Sequence, residues 1–278
     1  MKNMSRYDEI GYWSEIKLDI IKEYAFAYSK ILNARGFYHI YIDEFSGAGK
    51  HVSKNTGSFI LGSPLNALLV NPPFNEYHFI DLNIQKIKSL EDLVGSRNDV
   101  YIYHGDCNKI MIKKVIPRVR YKDYRRSLCV LDPYGLHLDW QVIFNAGQEG
   151  TFDIFLNFPV ADMNRNVLWH NPDDVSDSQI ERMNKFWGDD SWRKAAYIQS
   201  DQMQLFGNTA IEKVSNEIIA ESFRERLKNI AGFQYVPKPI AMRNTQNAVI
   251  YYLFFASNKP VADNIVQYIF KKYADKKG

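Results

Sequence analysis

The 278 residues are 46% hydrophobic and 24% charged, which supplies apolar material for a large core and excludes a disordered chain. Thirty-five Lys and Arg against 32 Asp and Glu leave a net charge of +3, an excess that permits a polyanionic partner without demanding one. No apolar run approaches the ~18 residues of a membrane span, the first residues lack the apolar stretch of a secretory signal, and two cysteines cannot build a disulfide framework or a structural zinc site. The expectation is a cytoplasmic α/β protein with no metal and no membrane association.

In chain order, residues 13–33 carry Ile16, Ile20, Tyr24, Ala27, Tyr28 and Ile31 at three- and four-residue steps, which predicts an amphipathic helix. Ser14 is its expected N-cap, and Gly36 ends it. Short apolar runs then follow at 38–43, 76–81, 99–106, 127–132 and 152–157, each closed by an acidic or amide residue. Asp81 to Asp106 is 25 residues, Asp106 to Asp132 is 26 and Asp132 to Asn157 is 25. A strand of about 5–6 residues, a helix of about 11–12 and two loops fill that period, the signature of parallel βα units. The first gap, Asp43 to Asp81, is 38 residues. Its excess, 50–64, is polar and glycine-bearing and predicts a surface loop before a short helix at 64–70.

After Pro159 the rhythm stops. Residues 160–230 are polar and hold Trp169, Trp187 and Trp192, predicting a helical insertion or lid. Residues 233–244 and 248–257 read as two strands joined by the turn-like tetrad 244–247, an antiparallel hairpin, before a closing helix at 261–275. The expected architecture is therefore a doubly wound, Rossmann-like α/β sheet, mostly parallel, with ligand chemistry at the carboxyl ends of its strands. It divides into an N-terminal helix packed on the core (1–36), an α/β core (37–159), the insertion (160–230) and the strands and helix that complete the core (231–278).

The strongest local signal is Asp43-Glu44-Phe45-Ser46-Gly47-Ala48-Gly49, directly after a strand. Such a turn lets backbone amides approach a ligand closely. A Walker A loop is rejected because Glu44 and His51 stand where Gly and Ser/Thr are needed, and a dinucleotide fingerprint fails because Val52 replaces its third glycine. An adenosine-type sulfonium ligand, S-adenosylmethionine (SAM), remains, against the alternative of a tight turn without a ligand. Asp43 can meet its cationic end beside Phe45, Gly47 and Gly49. Asp81 can accept both ribose hydroxyl protons, and Asp106, with Cys107 as a neighbouring wall, the adenine amine. The competing role for each carboxylate is a helix N-cap. Asp132, Pro133 and Tyr134 end the fourth strand, where Asp132 can orient a nucleophile and Tyr134 stack an extruded base. The alternative is a strand-ending turn with Tyr134 as wall.

Other features are weaker. Asn71-Pro72-Pro73-Phe74 mimics an amine-directed motif but follows a helix and precedes a strand, so prolines that stop a helix explain it. Lys109, Lys113, Lys114, Arg118, Arg120, Lys122, Arg125 and Arg126 form the densest basic stretch, either a polyanion-binding face or a solvated helix and loop. Asn157-Phe158-Pro159 and Arg165 face the same cleft. The histidines have no metal-ligand spacing, and neither cysteine has a nearby histidine that would make it a nucleophile.

In this order of motifs the chain resembles the class I SAM-dependent methyltransferases and, more narrowly, the three-Cys-motif partner protein (TcmP) family. The similarity rests on Trp13, Lys17, Leu18 and Tyr24, on Ile42 to Gly49, on Gly62-Ser63-Pro64, and on Asp132-Pro133-Tyr134-Gly135-Leu136. It continues through Asn157-Phe158-Pro159, Met163-Asn164-Arg165, Phe186-Trp187-Gly188, Trp192-Arg193 and 251–257. The resemblance implies a seven-stranded methyltransferase fold, a partner protein bearing the three-cysteine motif, and a link to phages and mobile elements. One proline, not two, separates Asp132 from Tyr134, a departure from the amine-methyltransferase pattern. The expected activity is SAM-dependent methyl transfer to a DNA or RNA base. The alternative is a catalytically silent SAM-binding or nucleic-acid-binding partner subunit.

Overall fold

Short β-branched and aromatic runs that end in an acid or amide become strands whose polar ends gather along one edge of a sheet. The computed structural model describes residues 7–203, 209–244 and 246–274. The chain opens with β1 (Asp8–Ile10) and α1 (Tyr12–Ala34). Ile16, Ile20, Tyr24 and Tyr28 form the buried stripe of α1. Its N-cap is Gly11, not Ser14, because the Ser14 amide already donates to the Gly11 carbonyl at 3.0 Å and so lies inside the first turn.

Next come β2 (Tyr38–Asp43), β3 (Lys50–Ser53), β4 (Phe59–Leu61), α2 (Ser63–Leu68), β5 (Glu76–Asp81), α3 (Ile84–Val94) and β6 (Val100–His104). They are followed by α4 (Cys107–Ile110), β7 (Arg125–Leu131), α5 (Trp140–Glu149) and β8 (Phe152–Phe158). The segment expected as a surface loop is ordered: β3 pairs antiparallel with β4 and parallel with β1, forming a three-stranded sheet. Its partner strand lies some forty residues upstream, which local patterning cannot reveal.

The remaining elements are α6 (Val160–Asn166), α7 (Asp177–Trp187), α8 (Trp192–Ala196), β9 (Tyr197–Met203), β10 (Thr209–Lys213), α9 (Asn216–Asn229), β11 (Ile240–Arg243), β12 (Val249–Ala256) and α10 (Pro260–Ala274). The main sheet has seven strands in the order β11-β12-β8-β7-β2-β5-β6. Strand β12 runs antiparallel to both neighbours, while β8, β7, β2, β5 and β6 are mutually parallel. The chain progresses outward from β2 to β6 and then returns to the other side at β7. The topological switch therefore lies between β2 and β7, where a crevice opens outside the carboxyl ends.

Successive residues of β2 serve opposite layers. Ile40 and Ile42 pack beneath α5, α7 and α9, whereas Tyr41 packs beneath α1 and α10. Residues 160–230 do not behave as the polar lid their composition suggests. Met183, Phe186, Trp187, Trp192 and Phe223 are fully buried in the same core as Trp140, Phe158 and Phe254, and β9 and β10 form an antiparallel hairpin within the segment. Residues 204–208, Thr245 of the expected 244–247 turn and Asp275 of the closing helix lie outside the described residues. The strand expected from 233 begins only at Ile240, because Pro237 and Pro239 cannot donate to the ladder. Tyr235 still makes a single bridge to Ser257.

The basic stretch is divided by the fold. Arg118 and Arg125 ion-pair with the buried Glu76 at 2.8 and 3.5 Å, and Arg126 lies over the rings of Phe37 and Tyr121. Glu76, Arg125 and Phe37 stand at the amino ends of β5, β7 and β2. This half of the stretch therefore occupies the edge of the sheet opposite the crevice.

Candidate functional site

Strand β2 ends at Asp43, and Asp43 and Glu44 are both fully buried at its carboxyl end. The chain then turns back under hydrogen bonds to its neighbours. The Glu44 amide donates to the Val130 carbonyl at 3.0 Å, the Ser46 amide to Ile80 at 2.9 Å, and the Gly47 amide to Asp81 Oδ2 at 2.9 Å. Gly47 has φ +65° and Gly49 φ +79°. A Cβ on Gly47 would meet nothing within 4 Å, whereas one on Gly49 would lie 2.9 Å from Leu90 Cδ1. The first glycine therefore opens the loop toward free space, and the second lets the loop pack on α3.

The two adjacent acids diverge. Neither Asp43 oxygen meets hydrogen-bond geometry. Burial raises its pKa to about 7, opposed by the Ser63 hydroxyl, while its charged neighbours are Asp132 and Lys17. Glu44, likewise without hydrogen bonds of good geometry, is raised by burial to about 8 and faces Cys107, Asp139 and Asp106 on the other layer. Burial, reinforced by Glu44, pushes the Cys107 thiol far up, so it stays protonated and is no nucleophile. A buried carboxylate whose neighbouring donors are poorly aligned gains more from an approaching cation than from a neutral neighbour.

A cavity of about 310 Å³ opens over this loop, walled by α1, the ends of β7 and β8, and β12. Phe45, Gly47, Asp132, Pro133 and Tyr134 line it together with Asn157 and Arg165. Asp132 is held from two sides. Lys17 Nζ ion-pairs with its Oδ2, and Asn157 Nδ2 donates to its Oδ1 at 2.9 Å. Burial alone would lower the Lys17 pKa, but the charge and hydrogen bond of Asp132, together with Tyr251 and Asp43, raise it on balance. Tyr134 is 71% exposed at the mouth, donating to Asp8 Oδ2 at 2.9 Å, with Lys86 Nζ 5.2 Å from its ring centroid. It is neither a buried wall nor part of the core.

Asp43, Asp81, Asp106, Cys107 and Gly49 do not line that cavity; Asp43 lies fully buried behind the loop residues Phe45, Ser46 and Gly47 that do. Asp81 Oδ1 accepts from the Asn83 amide at 2.7 Å while Oδ2 holds Gly47, so this acid fixes the glycine turn directly. Each oxygen keeps a further lone pair. Asp106 is the N-cap of α4, accepting from the Asn108 amide at 3.0 Å. The N-cap role weighed for these acids is thus realised at Asp106. Asn71 sits in the loop before β5, at the amino edge and away from the cavity.

Lys17, His51 and Tyr251 also line the cavity, beyond the residues expected from the sequence. Lys17 was detectable: it lies on the buried stripe between Trp13, Ile21 and Tyr24, where a lone lysine requires a buried counter-charge. His51 lines the cavity with Nδ1 lacking a hydrogen-bond partner, and burial with the Lys17 charge lowers its pKa, keeping the imidazole neutral. Its place depends on the β1–β3 pairing, which no local pattern encodes. Among the described residues no cluster of His, Cys, Asp or Glu could hold a metal ion, and no helix is long and apolar enough to cross a membrane.

No protein-family model and no curated protein matches the sequence. Among solved structures the chain is similar to protein LPL1258 from Legionella pneumophila str. Philadelphia 1, with a TM-score of 0.52 and 13% identity over 92% of each chain. That likeness shows a shared fold. A candidate SAM-dependent methyltransferase from Listeria monocytogenes is similar at TM-score 0.43 and 12% identity, covering 80% of this chain and 92% of that one. A candidate methyltransferase from Thermobifida fusca YX is similar at TM-score 0.44 and 11% identity, covering 89% and 80%.

Proposed function

We propose that this chain is a SAM-dependent methyltransferase that modifies a nucleic-acid base. The observation that carries the reading is Asp43. Its carboxylate is buried without a good hydrogen bond at the topological switch, beneath a glycine turn whose first glycine faces open space. Those features fit a ligand with a cationic methionine end. Asp43, Phe45, Gly47 and Gly49 would hold that end, Asp81 the ribose, and Asp106 with Cys107 the adenine. Bound there, SAM supplies a methyl group already activated by its sulfonium charge, so alignment supplies most of the catalysis.

The chain's own work is positioning. Asp132, fixed by Lys17 and Asn157, orients the nucleophile, and the Pro133 carbonyl lies beside it. Tyr134 at the mouth offers a face for the incoming base. Following the resemblance to the three-Cys-motif partner proteins, we place the activity in the cytoplasm, in phage or mobile-element biology, alongside a partner protein. Incubation with methyl-labelled SAM and mixed DNA and RNA tests the assignment. Label in nucleic acid that disappears in Asp132→Ala supports it, and no transfer, alone or with a partner, overturns it.

A cofactor-binding subunit without turnover is the second reading, and one observation favours it. The Lys17 ammonium sits on the carboxylate that would face the nucleophile. Methyl transfer by the intact chain removes that reading.

A further inference from the structure

Past Tyr134 the cavity runs into a second, larger groove of about 1390 Å³, and the two share Ile10, Ser14, Tyr134, Ile250 and Tyr251. Small-molecule sites span about 300–1000 Å³, so the inner cavity has the size of one and the groove exceeds it. Its walls are β1 and the first turn of α1 on one side, and the segment from Lys238 through β11, with the end of α10, on the other. Lys54, Lys238 and Lys271 reach it from three separate places in the chain, and none has an ion-pair partner among the described residues; Arg243, also on its wall, is engaged by the Asn247 carbonyl at 2.8 Å and by the Glu217 charge. Two acids oppose them, Asp8 and Glu9, and Asp8 is already held by Lys86. Tyr12 and Trp13 add aromatic rings to the lining.

Unpaired cations interleaved with aromatic faces are what a single strand needs: charges track the phosphates and rings take the unstacked bases. A duplex keeps its bases stacked away from such rings, and the inner cavity admits only a base already out of the helix. We propose that this groove carries a single-stranded nucleic acid and delivers one base past Tyr134 into the cavity. The basic stretch at the opposite edge of the sheet takes no part. This inference rests on the methyl-transfer reading for the fate of the base, but not for the binding itself.

Fluorescence anisotropy of the full chain with a labelled mixed-sequence 12-nucleotide strand, without SAM, tests it across a salt series. The strand should bind more tightly than the matching duplex. Log affinity should fall with log salt by about 0.7 for each phosphate contacted. The exposed triple variant Lys54→Glu/Lys238→Glu/Lys271→Glu should lose at least tenfold in affinity and flatten that slope by about two units. The opposite-edge variant Arg120→Glu/Lys122→Glu should change affinity less than twofold. Circular dichroism of each variant confirms the fold. Duplex preference, equal loss in the opposite-edge variant, or no binding of any strand, as for a groove that takes a protein, would overturn the proposal. Binding as described with no methyl transfer would instead sink the enzymatic reading and leave the groove standing.

Discussion

Lys17 on the N-terminal helix and Asp132 at the end of β7, 115 residues apart in sequence, form an ion pair on the wall of the cavity. Lys17 Nζ also lies 5.3 Å from the centre of the Tyr251 ring, and the Tyr251 hydroxyl donates to the Trp13 carbonyl at 3.4 Å. The pair is thus held by both α1 and β12. Lys17→Met should leave SAM affinity within threefold while cutting turnover about 100-fold, the cost of a misplaced orienting group. Unchanged or faster turnover would show that Lys17 restrains Asp132.

Asp43 should trade stability for binding. A carboxyl raised to about 7 in the folded chain from 3.8 takes up a proton on folding between those values. The folded chain binds more protons than the unfolded one there, so stability falls as pH rises from about 4 to 7. Glu44, raised to about 8, extends the fall. Asp43→Asn should therefore melt higher than the parent at pH 8, by about 1–3 kcal/mol, and match it near pH 4. Thermal melts without ligand across that range would detect it. A flat parent profile would mean that these acids are not buried.

The two loop glycines should separate stability from binding. Gly49→Ala combines φ +79° with a Cβ 2.9 Å from Leu90 and should cost about 1–3 kcal/mol. Gly47→Ala has φ +65° but open space, so it should cost about 1 kcal/mol. It should nevertheless lose SAM binding more completely than its stability loss explains. Denaturant titration beside ligand titration distinguishes the two. Equal binding loss at equal stability loss would make the turn purely structural.

Tyr134 is 71% exposed, and its replacement should be silent for folding. Tyr134→Ala should change stability by less than about 0.5 kcal/mol and leave SAM affinity unchanged, while turnover on nucleic acid drops at least tenfold. An equal fall in SAM affinity would reassign Tyr134 to the cofactor side.

Much of the fold is legible in the sequence, because each strand of the parallel half is a short apolar run with an acid or amide at its carboxyl end. The 38–43 and 76–81 runs coincide with β2 and β5. The small sheet escapes because β1 and β3 pair across the whole length of α1. Residues 160–230 mislead because their charged surface hides a few large side chains, Trp187, Trp192 and Phe223, that decide the packing. In the candidate site, Gly47 can be read from the motif, and so can Asp43, although that acid is buried and does not line the cavity. That Asp81 would brace Gly47, and that Glu76 would absorb two arginines of the basic stretch, requires the register of neighbouring strands.

Isothermal titration of the chain with SAM, beside Asp43→Asn under the same conditions, bears most directly on the central claim. A charged hydrogen bond contributes about 1.5–3 kcal/mol, so the account requires one-to-one binding by the parent and a loss of about 10- to 100-fold in the variant. No heat of binding from the parent, or equal affinity in both, would contradict it.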